Sequence, residues 1–343
     1  MQGVVLNKKF KVPIMKPDSL REHLIKAMSE QLPPGTNLAK LLSSLLYMGK
    51  EAVYRRLRGD VAFSFEEAAV ISEKMDVSLD EVVHSCFSNR TIVEPVPAGE
   101  ISAVDKYTSI LENKISTLAK VVGSGRSEVG ISSNSLPLSL LYRYPGLARF
   151  SFYRWLYQYG VSDLSMTFSQ VSLPAGLVEL QNEYTDRIAG IDYIYYIWSD
   201  RLFASLTKDI GYFVDMRLMK PEEASMVVGE LMSLAEDMER LASRGGYRED
   251  KRVEMYVSST NIDSTYIYLD APTVHLSLIR IFSMDTIISR EKFLCEGFKA
   301  WVKSQKRVSM LISGSGEPQK VKFFRTQRDI LSTVNNAIRA LSA

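Results

Sequence analysis

The chain has 343 residues, is 46% hydrophobic and 24% charged, and carries a net charge of +2. That is ordinary for a globular protein of two or three domains, and so small a net charge leaves any partner to be read from local charge. It excludes a membrane span and a secretory leader: no window approaches ~18 uninterrupted apolar residues, Asp192 interrupts the most apolar stretch, Ile188–Trp198, and Met1–Pro17 has no continuous apolar core. A cytoplasmic location, with no membrane partner, is the expectation.

The first 18 residues form a basic arm with Lys8, Lys9, Lys11 and Lys16. It is read either as a DNA-backbone contact or as a solvated or sheet-edge segment, with Val4–Leu6 and Phe10–Val12 strand-like.

Residues 19–87 are read as a five-helix domain. Ser19-Leu20-Arg21-Glu22, Ser64-Phe65-Glu66-Glu67 and Ser78-Leu79-Asp80-Glu81 each fit a capping box, in which the serine hydroxyl accepts from an early helix N–H and the glutamate reaches back. Pro33-Pro34-Gly35 ends the first helix. Asn37 caps a helix over about Leu38–Leu46, Gly49 marks a tight turn, and Lys50–Arg58 forms the next helix, closed by Gly59. On that helix Val53 and Leu57 face inward, with Ala52 beside them. Lys50, Glu51, Tyr54, Arg55 and Arg58 face outward, as a helix entering a major groove requires. Residues 50–60 hold four cations and two anions, whereas residues 20–85 hold 8 cations and 10 anions, so positive charge is concentrated on this one helix.

The order of these helices, Leu42-Ser43-x-x-Leu46-x-Met48-Gly49 before the basic helix, and Gly59 with Ala62-Phe63-Ser64-Phe65-Glu66 after it, resemble the XRE, or phage-repressor-like, helix-turn-helix family. The resemblance covers about a quarter of the chain. Leu57 departs from it, many members having glutamate there, and so do Gly49 and Ala52, near which members carry serine or threonine. The resemblance implies that Lys50, Glu51, Tyr54 and Arg55 read bases, with Lys50 and Arg55 on guanine and Glu51 accepting from cytosine. It implies that Asn37 and Lys40 hold phosphates. Taken whole, the chain is similar to bacterial helix-turn-helix regulators with long C-terminal regions.

Residues 88–125 are read as a linker, Ser88–Gly99, and an amphipathic helix. Ile101, Thr108, Ile115 and Val122 fall at heptad position a, and Val104, Leu111 and Leu118 at d. This stripe is either a dimer seam or the face that packs on the C-terminal domain.

Residues 126–343 are read as an α+β effector or oligomerisation domain. Eight aromatics between Tyr142 and Tyr159 indicate a helix buried on most faces, or else an aromatic ligand cage. A strand over Ile191–Trp198 precedes helices over Asp200–Met219 and from Pro221 to about Arg244. Strands over Arg252–Ser258, Ser264–Asp270 and Val274–Phe282, a helix over Ser289–Lys303, a strand over Arg307–Ile312 and a helix over Gln319–Leu341 follow. A mainly antiparallel sheet results, broadly as in GAF- or PAS-like sensor domains. The loop Ser313-Gly314-Ser315-Gly316-Glu317 lies between strand and helix but lacks a phosphate-binding pattern.

The fold class expected is therefore multi-domain, mainly α with an α+β C-terminal region. His23, His84 and His275, with Cys86 and Cys295, fit no metal or catalytic spacing, so no metal, cofactor or catalytic residue is expected. His275 is read as a core or face residue, and both cysteines as buried thiols. The leading function is a sequence-specific, double-stranded-DNA-binding transcription regulator, dimeric, with a small-molecule or protein effector. An interaction scaffold with a vestigial helix-turn-helix, and a DNA-targeted enzyme, are the alternatives.

Overall fold

The computed structural model describes residues 17–32, 35–79, 82–83, 102–159, 165–281, 284, 286–314 and 317–341. The arm with Lys8, Lys9, Lys11 and Lys16, His84, Cys86, the linker Ser88–Gly99 and Ile101 lie outside the described residues, as do Asp80 and Glu81 of the third capping box. The chain divides into two units, 1–92 and 93–343.

In the first unit the helices are α1 (Pro17–Glu30), α2 (Leu38–Leu45), α3 (Lys50–Arg58) and α4 (Phe65–Met75), with helical residues again at 79 and 82–83. Leu24 and Met28 of α1, Leu42 of α2, Val53 of α3, and Ile71 and Met75 of α4 share one core with Val77 and Val82. α1 starts two residues before the expected cap at Ser19. The Ser64 box closes as expected, Ser64 Oγ accepting from Glu67 N at 3.2 Å and Ser64 N donating to Glu67 Oε2 at 3.0 Å.

The second unit opens with α5 (Ala103–Ala119), capped by Ser102, whose hydroxyl accepts from Asp105 N at 3.1 Å. Strand β1 (Glu128–Ser133), α6 (Leu138–Leu141), α7 (Pro145–Gln158), α8 (Ala175–Ala189), β2 (Tyr193–Trp198), α9 (Ala204–Asp215) and α10 (Pro221–Arg244) follow. Then come β3 (Gly246–Arg248), β4 (Lys251–Ser258), β5 (Thr265–Ala271), β6 (Val274–Arg280), β7 (Thr286–Ser289), α11 (Lys292–Gln305), β8 (Ser309–Leu311) and α12 (Glu317–Ala340). α10 shows local rules acting together. Pro221 occupies its first turn, Glu222 and Glu223 sit at the positive end of its dipole, and Gly245 ends it at φ 74°.

The eight strands form one sheet in the order β3-β4-β2-β1-β5-β6-β7, with β8 also on β4. Its centre is parallel: β1 pairs with β2, and β2 with β4. The other pairings are antiparallel. The fold is thus mixed, and the parallel centre corrects the simpler hairpin reading. It arises because helices α6–α8 and then α9–α10 fill the crossovers.

Alternation splits the sheet. Ile194, Tyr196 and Trp198 join the large core with α7 and α10, whereas Tyr195 and Ile197 lie in a small cluster with Tyr268 and with Cys295 and Val302 of α11. On the α11 face three carboxylates meet three ammonium groups. Glu128 takes Lys299 at 2.6 Å and Lys303 at 2.9 Å, Asp270 takes Lys299 at 2.6 Å, and Glu254 takes Lys306 at 2.7 Å. Tyrosines complete the set: Tyr268 donates to Glu128 at 2.6 Å, and Tyr193 and Tyr256 donate to Glu254 at 2.6 and 2.8 Å. Gly130 leaves room for this, since a Cβ there would come within 2.4 Å of Tyr268 and 2.7 Å of Tyr195.

Burial pushes the Glu254 carboxyl up, but Lys306, Tyr193 and Tyr256 outweigh it and hold it down at about 2. A depressed carboxyl contributes stability above its unfolded value of about 4.3, and that contribution is lost as pH falls through the folded value. Urea unfolding of the second unit should therefore weaken from about pH 5 downward. Glu254→Gln should flatten that dependence; an unchanged slope would remove Glu254 from the account.

The α5 stripe is spoken for. Tyr107, Leu111, Ile115 and Leu118 are buried, while Val104, expected at a seam, is 38% exposed. Tyr107 packs edge-on against Phe152 and Trp155, and its hydroxyl meets those of Tyr142 at 2.9 Å and the Gln181 amide at 3.1 Å. Of the two readings of this helix, packing on its own domain holds, and the seam is corrected. The heptad pattern overlooked Tyr107 because an aromatic between a and d positions does not register in a search for aliphatics. The aromatic stretch is core as well: Phe150, Phe152, Tyr153 and Trp155 of α7 are buried.

Candidate nucleic-acid interface

Turn chemistry aims α3. α2 ends at Leu45 with Leu46 as its C-cap, Tyr47 adopts φ 51°, and Ser43 Oγ donates to Met48 O at 2.5 Å. Gly49 then sits at the N-cap with φ −65°. The left-handed residue of the turn is Tyr47, so the tight-turn role expected of Gly49 is corrected; Gly49 supplies an uncluttered helix start instead. Tyr47 is 96% exposed. Nothing in the sequence marks a tyrosine for this position, since its positive φ is imposed by the packing of α2 on α3.

At the other end Gly59 has φ 89° and its N–H donates to Arg55 O and Arg56 O. The Arg21 guanidinium of α1 lies against it and donates to Arg58 O at 3.2 Å; a Cβ on Gly59 would stand 1.3 Å from Arg21 Nη1. Gly59→Ala should therefore cost the first unit at least the ~1–2 kcal/mol of a left-handed alanine, plus displacement of Arg21. Faster hydrogen exchange at the α3 amides would show it, and unchanged exchange would contradict it.

The register of α3 places Val53 in the core and Leu57 and Ala52 half-buried, with Lys50, Glu51, Tyr54, Arg55 and Arg58 exposed. These are the orientations expected. The four cations nevertheless divide. Arg56 is half-buried and grips Glu67 through Nε at 2.8 Å and Nη2 at 2.7 Å, which ties α3 to the start of α4. The Glu67 hydrogen bond pushes the Arg56 guanidinium up, and the Arg56 hydrogen bond holds the Glu67 carboxyl down. Arg56 was counted in the positive field and is better described as a strut.

Arg58 is exposed but engaged, with Asp60 at 3.0 Å and Glu51 at 3.4 Å. Both hydrogen bonds, Asp60 first, push its guanidinium up. Such exposed pairs are worth little and exchange readily for phosphate. Glu51 is thus half-committed to Arg58. Lys50, Tyr54 and Arg55 have no side-chain partner among the described residues. Asn37 and Lys40, at the α2 start, are exposed as well. Asn37 Oδ1 accepts from Lys40 N at 3.1 Å, leaving the Asn37 amide nitrogen and the Lys40 ammonium outward. All seven residues singled out on α2 and α3 are exposed.

Elsewhere, Asp270, His275 and Cys295 offer ligand atoms within 4.8 Å of one another. His275 Nδ1 and Lys299 already hold the two oxygens of Asp270, at 2.8 and 2.6 Å. Burial pushes the Cys295 thiol up to about 11, so this set is committed to its own neighbours, and His275 is a strand-face residue as expected. The Ser313–Glu317 loop is a connection: Ser313 Oγ accepts from Met255 N at 3.1 Å and Gly314 N donates to Ala242 O at 3.1 Å, with Ser315 and Gly316 outside the described residues.

Compared with protein-family models, curated proteins and solved structures, the chain matches none. Among the described residues no helix is long and apolar enough to cross a membrane.

Proposed function

We propose that the first unit binds double-stranded DNA with α3 in the major groove, and that the protein is a transcription regulator of the helix-turn-helix type. One observation carries the reading. Lys50, Tyr54 and Arg55 stand exposed on a single helix face, without a side-chain partner among the described residues, while Val53 beneath and the Arg56–Glu67 fork beside them fix that face. Long donors on a rigid helix suit base edges, and Asn37 and Lys40 at the α2 start suit phosphates. Lys50 and Arg55 are assigned to guanine and Tyr54 to the sugar–phosphate edge. Arg58 turns to phosphate, releasing Glu51 toward cytosine. A helix of this size covers one half-site, so the protein works as a homodimer, through a surface other than the α5 stripe. The second unit is the effector-responsive part, and neither unit needs catalysis for this role.

A protein-binding scaffold is the second reading, favoured by Tyr47 and Phe65, which are 96% and 80% exposed. Salt separates the two. DNA affinity should fall with a log–log slope of about −0.9 for each phosphate contact. Fluorescence anisotropy with DNA selected from a random pool would measure it. Failure to enrich any sequence, with no salt-dependent binding to bulk duplex, would favour the scaffold.

A further inference from the structure

The core face of the sheet encloses a cavity of about 70 Å³. Its walls are mostly apolar, with Val129 and Ile131 of β1, Ile194 of β2 and Ile267 of β5 among them, and no carboxylate lines it among the described residues. A guanidinium nevertheless enters it. Arg280, at the end of β6, is half-buried, and its described hydrogen-bond partners are all hydroxyls: Thr265 at 2.5 Å, Ser133 at 3.4 Å, and Ser135. Lys114 of α5 also lines the cavity, its ammonium donating to Met284 O at 3.4 Å.

Taking a guanidinium out of water without a counter-ion costs far more than three hydroxyls return. Burial, with the nearby Arg154 charge, pushes Arg280 down to about 10, whereas the half-buried Lys299 and Lys306 on the opposite sheet face each have a carboxylate partner. Among the described residues, the Arg280 charge in this cavity has no negative partner.

We propose that this cavity binds a short carboxylate, of about two to four carbons, with its oxygens on the Arg280 fork and the Ser133 and Thr265 hydroxyls and its alkyl part against the isoleucines. Size sets the length, for a void of about 150 Å³ accepts benzene and this one is about half that. The planar fork of arginine matches a carboxylate in two hydrogen bonds. A fully hydrated phosphate would leave its remaining oxygens facing hydrocarbon, and inorganic phosphate is the control that this excludes. The inference does not rest on DNA binding.

The test uses the full chain and sodium propionate. All three tryptophans, Trp155, Trp198 and Trp301, lie in the second unit, so their fluorescence follows its unfolding alone. Thermal midpoints should rise with propionate beyond matched sodium chloride or phosphate, logarithmically in concentration. Propionamide, similar in shape but uncharged, should leave them unmoved. Arg280→Met should weaken propionate binding at least about tenfold, the loss expected for a charge-assisted pair. Equal shifts with propionate and chloride, equal shifts with propionamide, or a retained shift in Arg280→Met would each overturn the assignment. The first two comparisons need only the wild-type chain, so they decide even if the variant does not fold.

Discussion

Glu128→Ala is expected to lower the stability of residues 93–343 by about 3 kcal/mol at pH 7, the lower end of the ~3–5 kcal/mol for removing one partner of a buried pair. Glu128 is only 5% exposed, yet it accepts from Lys299, Lys303 and Tyr268. Without it, Lys299 keeps Asp270, but Lys303 and the Tyr268 hydroxyl lose their described acceptor. The lower end applies because Lys303 is 45% exposed and regains water. Burial pushes the Glu128 carboxyl up, but Lys299, Tyr268 and Lys303 overcome this and leave it lowered. Its contribution is therefore present at neutral pH and lost in acid, so the gap between wild type and variant should close as pH falls below about 4.3. Glu128→Gln, which keeps an acceptor for Tyr268, should cost less than alanine. Urea unfolding followed by tryptophan fluorescence gives all three values. A loss under about 1 kcal/mol for alanine, typical of surface pairs, would mean that water screens the cluster.

Lys50→Ala and Arg55→Ala should each reduce specific DNA affinity by about 1–3 kcal/mol, roughly 5- to 150-fold, and relax base preference at one position. Lys40→Ala should act differently. It should weaken binding to all sequences alike and make the salt slope about 0.9 shallower. Arg56→Ala is the informative contrast. A sequence reading counts Arg56 in the positive charge of this helix but not on its outward face; in the structure Glu67 holds it. Its loss should appear first as lower stability of the first unit, with any loss of affinity recovered at low temperature where α3 stays folded. If Arg55→Ala and Lys50→Ala both bind like wild type while Arg56→Ala does not, the face assigned to DNA is wrong by about 100°, one residue of helix.

Residues whose neighbours are close in sequence were the most legible. The caps at Asn37, Ser64 and Gly59, the amphipathic register of α3, and the span of α10 from Pro221 to Arg244 all follow from local rules. β4, β5 and β6 were also readable, because their polar and apolar residues alternate. β1 was not. Glu128-Val129-Gly130-Ile131-Ser132-Ser133 has few strand formers, yet it is buried along its length. What makes it a central strand is remote: lysines of α11 for Glu128, and two tyrosine rings above Gly130. β7 is short, and α8 has no side-chain cap to announce it. The parallel centre was missed for the same reason, since β1 had to be seen before its crossover to β2 could be. In the interface the outward set was legible from helical spacing. The Arg56–Glu67 fork was not, because helical spacing keeps Arg56 out of the outward set without naming a partner for it on α4.

The uneven dressing of the sheet has a consequence for how the protein responds to its surroundings. One face is closed by many helices through hydrocarbon, the other by α11 through Lys299, Lys303 and the adjoining Lys306. Added salt screens the more exposed pairs, such as Lys303 with Glu128, and leaves oil-like contacts intact or strengthened, so concentrated salt should weaken part of the hold on this helix, beside its apolar contacts through Cys295 and Val302, more than the contacts across the sheet. Warming acts the other way, because stripping water from ions becomes easier with temperature. α11 is thus the element whose grip is set by the medium, and Trp301 on its outer turn reports its departure separately from the buried Trp155 and Trp198.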